Sequence, residues 1–308
     1  MSVYEKISGF ADEISQDFDQ QLKTVTDLGM KYICIRSAEH KGIADYTPEE
    51  VRTVLLPKLQ RGGGSFQLGT AIGKVEVDDE EGFAKQLEQL ETLCETAKLL
   101  DCSFIRMFSF LIPKDADADS YTDVVLDKLR QFIRIAEKHD VVLLHENEKG
   151  IYGDTGARCK LLFDRLACPH FKAAFDFANF VQCEQDTAEC WELLHDQIAY
   201  IHIKDALPGC LLNVPAGTGL GKIPELLRRA FCEEGYHGFL TLEPHLAMFD
   251  FFAPGAKGGE SQKLQFENNP IVEKMKSEMA EPGRPKDGAE AYATQYHALV
   301  EILNPILN

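Results

Sequence analysis

Short apolar runs alternate with longer amphipathic stretches along most of the chain. The short runs are rich in β-branched and aromatic residues and predict eight strands, over Lys6–Ala11, Tyr32–Arg36, Ser65–Thr70, Phe104–Phe108, Val141–Glu146, Ala173–Phe177, Tyr200–Ile203 and Phe239–Leu242. The longer stretches repeat apolar residues at helical spacing and predict helices, over Phe18–Leu28, Pro48–Gln60, Glu81–Leu100, Thr122–Lys138, Arg158–Leu166, Ala188–His195, Ile223–Glu234 and Ala289–Leu303.

This alternation of strand and helix predicts an α/β fold with a parallel sheet covered by helices. Eight repeats favour closure into a (β/α)₈ TIM barrel, for which about 250 residues is a typical length. An open doubly wound sheet is the alternative, but it requires a glycine-rich phosphate turn after its first strand. The corresponding segment here, GFADEIS, lacks that fingerprint. We therefore expect residues 1–308 to form a single TIM-barrel domain.

Residues 247–290 interrupt the regular alternation. The segment follows the last predicted strand, contains five glycines and four prolines, and is too long for an ordinary loop. We expect it to be an insertion after strand eight that acts as a lid or as an oligomer contact.

Composition narrows the function classes. Of the 308 residues, 44% are hydrophobic and 27% are charged, as in soluble globular proteins, and the net charge of −18 disfavours binding to nucleic acid. The acidic N-terminus does not resemble a signal peptide, and no apolar run is long enough to span a membrane. Nine scattered cysteines without a C-x-x-C pair fit a reducing compartment. We expect a cytoplasmic protein that binds neither membrane nor nucleic acid.

Four polar residues lie at the C-terminal ends of predicted strands, at intervals of 30, 26 and 41 residues: Glu146, Asp176, His202 and Glu243. Active sites of TIM barrels lie at this end of the strands. Three carboxylates and an imidazole that converge there would bind one divalent metal ion, and one dication would satisfy all three buried carboxylates. The ligand types suit Mn²⁺, Mg²⁺, Co²⁺ or Zn²⁺.

Such a metal ion would polarise a sugar carbonyl and stabilise the negative charge of an enediolate. Glu146 and Glu243 come from strands five and eight, so that they could flank a substrate as an acid/base pair. These features predict an isomerase or epimerase of a small sugar or sugar phosphate.

Further polar residues near the strand ends are candidates for substrate contact: Arg106, Glu148, Asn179, Lys204, Asp205 and His245. Lys74 and the glycine-rich run at 217–221 are candidates for phosphate binding. The run lacks a following Lys-Ser/Thr pair, so that a tight turn before a helix is the favoured interpretation. His145 precedes Glu146, and strand alternation directs it to the opposite side.

Several motifs resemble those of the sugar phosphate isomerase/epimerase family with the xylose isomerase-like barrel, which includes tagatose epimerase-like and inosose dehydratase-like members. They are GFADEIS, TAIGKVEV, FIRMFSF, LLHENEKGIYGDT, FDFANF, IHIKDA, PAGTGLGKIPELL and LTLEPH, and they cover nearly the whole chain up to about Leu246. The resemblance implies that Glu146, Asp176, His202 and Glu243 bind the metal, and that Glu146 and Glu243 are the acid/base pair.

Departures from the family motifs keep the reaction type open. Asn179 stands where many members have histidine. Tagatose epimerase-like members have an arginine shortly after the histidine of strand seven, and residues 204–209 contain none. The H-x-K-D form resembles inosose dehydratase-like members more closely, so that a lyase acting on a keto-cyclitol or keto-sugar is the first alternative. Product mass distinguishes the two, because dehydration removes one water.

Two other functions are less consistent with the sequence. Hydrolysis of abasic DNA, as in the endonuclease IV branch, requires several zinc-binding histidines and a less acidic surface. A non-catalytic binding module would bind its ligand without metal. The sequence does not identify the sugar, its phosphorylation or the oligomeric state, and a homo-oligomer remains an option.

Overall fold

The computed structural model of the chain describes residues 2–62, 64–246 and 270–307. Eight strands form one sheet in which consecutive strands are neighbours and all pairs are parallel. They are β1 (Ile7–Gly9), β2 (Tyr32–Ile35), β3 (Gly64–Ile72), β4 (Phe104–Met107), β5 (Val142–Glu146), β6 (Phe171–Asp176), β7 (Ile198–Ile203) and β8 (Phe239–Leu242). β1 pairs with β8, and a bridge between Phe10 and Cys34 joins the end of β1 to β2. The sheet therefore closes, and the predicted TIM barrel is confirmed.

Helices connect successive strands on the outside of the barrel. They are α1 (Phe18–Asp27), α2 (48–62, with a π-helical turn at Val51–Leu55), α3 (Glu80–Leu99), α4 (Thr122–His139), α5 (Gly156–Arg165), α6 (Phe177–Gln182), α7 (Thr187–Leu194), α8 (Ile223–Cys232), α9 (Pro270–Met279) and α10 (Gly288–Leu307). Short polar side chains start several of them. Asp17, Thr155 and Asp186 each accept a backbone N–H at the first turn of α1, α5 and α7. No helix in the described ranges has the length and apolar character needed to cross a membrane.

Side-chain alternation divides each strand between two apolar layers. One set of residues packs against the outer helices in a large core, and the other forms a small cluster inside the barrel, made by Leu144, Ala174, Tyr200 and Phe239. The rings of Tyr200 and Phe239 stack with centroids 5.8 Å apart. Each of β5, β6 and β7 contributes one residue to this cluster. The residue two positions later on the same strand is polar and also faces the barrel interior. The cluster therefore forms the apolar floor on which a polar site rests.

The structure corrects the ends of several predicted strands. The strand expected over Lys6–Ala11 is limited to Ile7–Gly9, since Lys6 and Ala11 belong to 3₁₀ turns. The strand expected over Ala173–Phe177 ends at Asp176, because the Asp176 carboxylate accepts the backbone N–H of Asn179 at 2.8 Å and starts helix α6. Part of the predicted insertion, residues 247–269, lies outside the described residues. Its described remainder contains α9 and contacts the loop after β7, where Glu278 accepts the backbone N–H groups of Leu211 and Leu212.

Candidate metal centre

Glu146, Asp176, His202 and Glu243 converge at the carboxyl end of the barrel. Each offers one ligand atom, and these four atoms all lie within 4.8 Å of one another. None of the four residues is more than 2% exposed. Glu146 and Asp176 end β5 and β6, His202 lies near the end of β7, and Glu243 directly follows β8.

The strand register brings these side chains together. Asp176 and His202 are direct partners across the β6–β7 ladder, and Glu146 is paired with Ala174, two residues before Asp176. Side chains two residues apart on a strand point to the same face. Neighbouring parallel strands therefore deliver all of these polar groups into the barrel interior above its apolar floor.

A polar contact on β3 orients the His202 ring. Its Nε2 atom lies 3.2 Å from Gln67 Nε2 and 3.3 Å from Gln67 Oε1, and Oε1 also accepts the Cys34 thiol at 3.4 Å. With its proton on Nε2, the imidazole donates to Gln67 and presents the Nδ1 lone pair to the carboxylates. His202 Nδ1 lies 3.2 Å from Glu146 Oε1 and 3.8 Å from Glu243 Oε2.

Two atoms of the cluster have charged groups beside them but make no hydrogen bond to any described residue. Asp176 Oδ2 and His202 Nδ1 are buried, and within the described part of the chain neither makes a hydrogen bond of acceptable geometry. Buried polar atoms without a hydrogen bond are rare, and the nearby Lys204 and Glu146 compensate their desolvation only in part. A divalent cation would satisfy both atoms, and three carboxylates with one imidazole are a suitable set of donors. The residues therefore fit a metal ion.

Three cations already contact the carboxylates. Lys204 Nζ lies 3.0 Å from Asp176 Oδ2 and 3.2 Å from Glu243 Oε2. Arg106 Nη1 donates to Glu146 Oε2 at 2.9 Å. Arg36 Nη1 donates to Glu243 Oε1 at 3.1 Å. The carboxylate positions are thus held by ion pairs even without a metal ion.

These contacts separate the pKa values of the carboxyl groups. Burial favours protonation of Glu146 and Glu243, but neighbouring positive charges outweigh it. His202, when it is protonated, and Arg106 lower the pKa of Glu146 to about 2, and Lys204 contributes most to a Glu243 pKa well below its ordinary value. Burial dominates at Asp176 and raises its pKa to about 7, with the two glutamates adding to the effect against the charge of Lys204. Both glutamates are therefore held ionised.

Sequence comparison identifies the family. Residues 25–259 match the family that is described as "Xylose isomerase-like TIM barrel". The chain belongs to the xylose isomerase-like TIM barrel family. The resemblance inferred from the motifs is thereby confirmed. No curated protein sequence matches the chain significantly.

Solved structures with the same family fold cover nearly the whole chain. The IolI protein with a bound zinc atom has a TM-score of 0.71 and 16% identity, over 98% of this chain and 99% of that one. D-allulose 3-epimerase from Methylomonas sp. has a TM-score of 0.68 and 15% identity, over 98% and 99%. A xylose isomerase-like TIM barrel protein from Mycobacterium smegmatis in complex with magnesium has a TM-score of 0.67 and 14% identity, over 99% and 98%. At these identities the likeness shows the fold alone.

The other residues predicted to contact substrate lie at different distances from the cluster of four proposed ligands. Asn179 and Arg106 both touch the cluster, since Asn179 Nδ2 donates to Glu146 Oε1 at 3.2 Å. Glu148 lies farther out and pairs with Lys74 at 2.6 Å. His245 is half-buried, with Nε2 3.2 Å from Glu13 Oε1 and 3.7 Å from Glu243 Oε1.

Asp205 is not brought into the cluster. Its two carboxylate oxygens accept the backbone N–H groups of Gly217, Gly219 and Gly221, each at 2.9 Å. Asp205 thus holds the glycine-rich loop before α8, although it lies only three residues after His202. The run at 217–221 is the turn before a helix that the sequence favoured. His145 faces the outer layer as expected, with Nε2 2.9 Å from Ser109 Oγ.

Three residues of the site were missed at the sequence level: Glu13, Arg36 and Gln67. Arg36 ends a predicted strand, so that the rule applied to the four ligands would have included it. Gln67 carried a weaker signal, as a polar residue within an apolar strand. Glu13 follows β1 in a short 3₁₀ turn, where the sequence pattern alone does not show that it faces the barrel mouth.

Proposed function

We propose that this chain is a divalent-metal-dependent isomerase or epimerase that transfers a proton next to the carbonyl of a small sugar or sugar derivative. The convergence of four buried ligand atoms within 4.8 Å, two of them without a hydrogen bond, is the observation that carries the proposal. Family membership and the epimerase among the structural neighbours support it.

In this proposal the metal ligands are Glu146, Asp176, Glu243 and the Nδ1 atom of His202. A bound divalent cation supplies Lewis-acid polarisation of the substrate carbonyl. Gln67 fixes the tautomer and the orientation of His202. Asn179 holds both Asp176, through its backbone N–H, and Glu146, through its side-chain amide.

Glu146 and Glu243 are the proposed proton-transfer pair. They follow strands three places apart in a ring of eight, and therefore approach the substrate from different sides. The ion pairs with Arg106 and Lys204 keep both carboxylates ionised, as a proton acceptor must be. In epimerisation one carboxylate takes the proton from one face of the carbon, and a proton returns to the other face. Lys204, His245 and Glu148 line the approach and are the proposed contacts for sugar oxygens.

The described part of the 247–290 segment supports a role beside the mouth. Glu278 is buried and binds the loop after β7, and Arg284 donates to the backbone carbonyl of Asn213 in the same loop. We propose that residues 1–308 form one domain and that this segment is a lid or an oligomer contact. Replacing residues 250–266 with a Gly-Ser linker should raise KM if it is a lid, or reduce the oligomeric mass if it is a contact. No change in either quantity would contradict both roles.

A panel of ketoses and keto-cyclitols in deuterated water tests the reaction. We expect the metal-loaded protein to return an isomer of unchanged mass apart from one incorporated deuterium, and chelation to abolish the activity. Glu146→Gln and Glu243→Gln should each reduce kcat by about 1,000-fold, because each removes a proton-transfer group. A product lighter by one water would assign the site to a lyase instead.

A matched variant controls for the loss of a carboxylate. Glu234 precedes β8 at the opposite end of the barrel, where it accepts the Trp191 indole N–H at 2.9 Å. We expect Glu234→Gln to retain metal and turnover, and Glu243→Gln to lose metal affinity. Unchanged metal content and turnover in Glu243→Gln would overturn the proposal.

A further inference from the structure

His245 has an unusual backbone conformation at the barrel mouth. Its φ is +45°, in the left-handed region that residues other than glycine rarely adopt. Two hydrogen bonds hold it there. Its backbone N–H donates to Glu13 Oε2 at 2.7 Å, and its carbonyl accepts the backbone N–H of Asn213 at 3.1 Å. Strained residues persist only where their surroundings hold them, and they are concentrated at functional sites, so that this conformation points to a role for the side chain.

The imidazole of His245 lies beside Glu243. Its Nε2 atom lies 3.2 Å from Glu13 Oε1 and 3.7 Å from Glu243 Oε1. The other oxygen of Glu243 faces the proposed metal cluster, since Oε2 lies 3.2 Å from Lys204 Nζ and 3.8 Å from His202 Nδ1. With Oε2 directed to the metal, Oε1 is the oxygen that remains for proton transfer, and the imidazole stands next to it.

The three side chains differ in how far a substrate can reach them. With respect to the described residues, the His245 side chain is 42% exposed, whereas Glu13 is 11% exposed and Glu243 is 3% exposed. Glu13 Oε1 is fully buried. Glu13 therefore lies too deep to touch a substrate, and its contacts act on His245.

On the basis of the proposed function, we propose that Glu13 is a positioning residue that holds the His245 imidazole beside Glu243, where the ring binds one hydroxyl group of the substrate. An imidazole nitrogen donates to, or accepts from, a hydroxyl group according to its tautomer. A ring that is fixed before the substrate arrives loses less conformational freedom on binding. Loss of either Glu13 or His245 should therefore weaken substrate binding and leave proton transfer by Glu243 largely intact.

Steady-state kinetics of metal-loaded variants test this role. Glu13→Ala and His245→Asn should each raise KM for the best ketose of the panel by about tenfold, because each loses one hydrogen bond to the substrate, with kcat within about threefold of the wild type. Asparagine tolerates the left-handed conformation, so that His245→Asn removes the ring alone. An unchanged KM in Glu13→Ala, or a fall in kcat without a rise in KM, overturns the proposal.

The conservative variant Glu13→Gln tests the hydrogen bond to the backbone. Burial raises the pKa of Glu13 to about 8, so that glutamine closely imitates its neutral form. The amide oxygen can still accept the N–H of His245. Glu13→Gln should therefore keep KM within about threefold of the wild type. A KM as high as that of Glu13→Ala would contradict this mode of positioning.

A double variant tests whether Glu13 acts through His245. In Glu13→Ala/His245→Asn, KM should rise no further than in His245→Asn, because the group that Glu13 positions is already absent. A further rise of about tenfold would mean that the two residues contribute independently, which would overturn the positioning role.

Glu50 provides the matched control. Like Glu13, it accepts a backbone N–H, that of Thr47 at 2.8 Å, and it also contacts a cation, Lys41, at 2.7 Å. It lies in the first turn of α2 rather than at the cluster. Glu50→Ala should leave KM and kcat unchanged, alone or combined with His245→Asn. A tenfold rise in KM in Glu50→Ala would show that the effect is not specific to Glu13.

Metal analysis of the same samples tests a different role for these atoms. Glu13, Glu243 and His245 each offer one atom, and the three atoms lie within 4.8 Å of one another. Arg36 lies 3.5 Å from Glu13 Oε1 and 3.1 Å from Glu243 Oε1, so that its charge opposes a cation there. We expect the wild type and Glu13→Ala to bind equal amounts of metal. Loss of metal from Glu13→Ala would overturn the positioning role.

Hydrogen exchange separates failure of this proposal from failure of the proposed function. If the wild type converts no sugar of the panel, the proposed reaction is wrong, and the positioning is then measured directly. NMR of protein with isotopically labelled histidine follows the backbone N–H of His245, which His245→Asn assigns. Glu13→Ala should accelerate its exchange by at least about tenfold, and Glu13→Gln and Glu50→Ala should not. Unchanged exchange in Glu13→Ala would overturn the positioning role, whatever the reaction.

Discussion

Lys204 Nζ lies 3.0 Å from Asp176 Oδ2, so that an ammonium group already sits beside one of the four atoms proposed to bind the metal. Lys204 is buried, and Asp176 and Glu243 raise its pKa although burial opposes them. The side chain is therefore a permanent cation in the cluster. It stabilises the metal-free carboxylates, and it must compete with an incoming dication.

The first prediction concerns this competition. Lys204→Met should destabilise the metal-free protein by about 3 kcal/mol, because it leaves buried carboxylates without a partner. The same change should raise metal affinity by about tenfold, because the repulsion between ammonium and metal is removed. Thermal unfolding with and without metal measures both effects.

Lys128→Met is the matched control. Lys128 is also buried, but it donates to the backbone carbonyl of Val77 on the outer layer of the barrel. This variant should lower the stability of the metal-free and metal-loaded forms equally. Weaker metal-induced stabilisation in Lys204→Met than in the wild type would contradict the competition.

The second prediction concerns Arg36, which links three carboxylates. Arg36→Gln should cost about 2 kcal/mol of folding free energy in the metal-free protein, because its partners Asp12 and Glu243 are largely buried. Arg158 is a close control, since its side chain is 26% exposed against 27% for Arg36, and it also bridges two carboxylates. Its partner Asp119 is 73% exposed, so that Arg158→Gln should cost less than about 1 kcal/mol. Urea unfolding checks the difference, and equal losses would show that Arg36 is an ordinary surface ion pair.

The third prediction concerns pH and His145. Burial lowers the pKa of His145 from 6.5 to about 4. Between these values the unfolded chain binds a proton and the folded chain does not, so that stability present above pH 6.5 is lost as the pH falls towards 4. The loss from this group approaches about 3 kcal/mol.

His145→Gln should reduce the loss of stability between pH 7 and pH 4.5 in urea unfolding. The exposed His237 is the control, and His237→Gln should leave the pH dependence as in the wild type. Identical acid sensitivity in the wild type and in His145→Gln would mean that the buried ring does not resist protonation.

The fourth prediction concerns the approach of two backbone segments near the mouth. Gly73 has a φ of +79°, and a Cβ atom there would lie 1.9 Å from the carbonyl oxygen of Phe108. Gly150 has a similar φ of +85°, but a Cβ atom there would meet nothing within 4 Å. Gly150→Ala should therefore cost about 1 kcal/mol, from backbone strain alone. Gly73→Ala should cost at least about 3 kcal/mol, because backbone atoms must move. Comparable unfolding midpoints for the two variants would rule out the close contact.

Local patterns were sufficient for most of the barrel. Short, nearly continuous runs of apolar residues fit strands that are buried on both sides, and helical spacing between these runs fits the outer layer. The error at Phe177 has a local cause. The predicted strand extends one residue beyond Asp176, whose carboxylate starts α6 at Phe177. The short helix lies within an apolar stretch whose composition does not distinguish a strand from a helix.

The four proposed ligands were recognisable because each polar residue ends an apolar run, and parallel strands deliver such residues to one end of a barrel. Their surroundings were not recognisable in this way. Arg36 meets Glu243 across 207 positions, and Gln67 meets His202 across 135. Asp205 shows the opposite error. It lies next to Lys204 in the sequence, yet it points away from the cluster and holds the loop at 217–221.

The order of apolar and polar residues was enough to predict an eightfold α/β barrel. It also predicted that the candidate site lies at the C-terminal end of the strands. Both follow from the sequence because secondary structure and the position of a strand end depend on neighbours along the chain. Only the tertiary structure decided which cations neutralise the carboxylates, which imidazole nitrogen faces them, and which anion fills the glycine-rich loop. Those contacts are ion pairs and hydrogen bonds between residues far apart in the sequence. The distances between these residues are set only when the barrel closes.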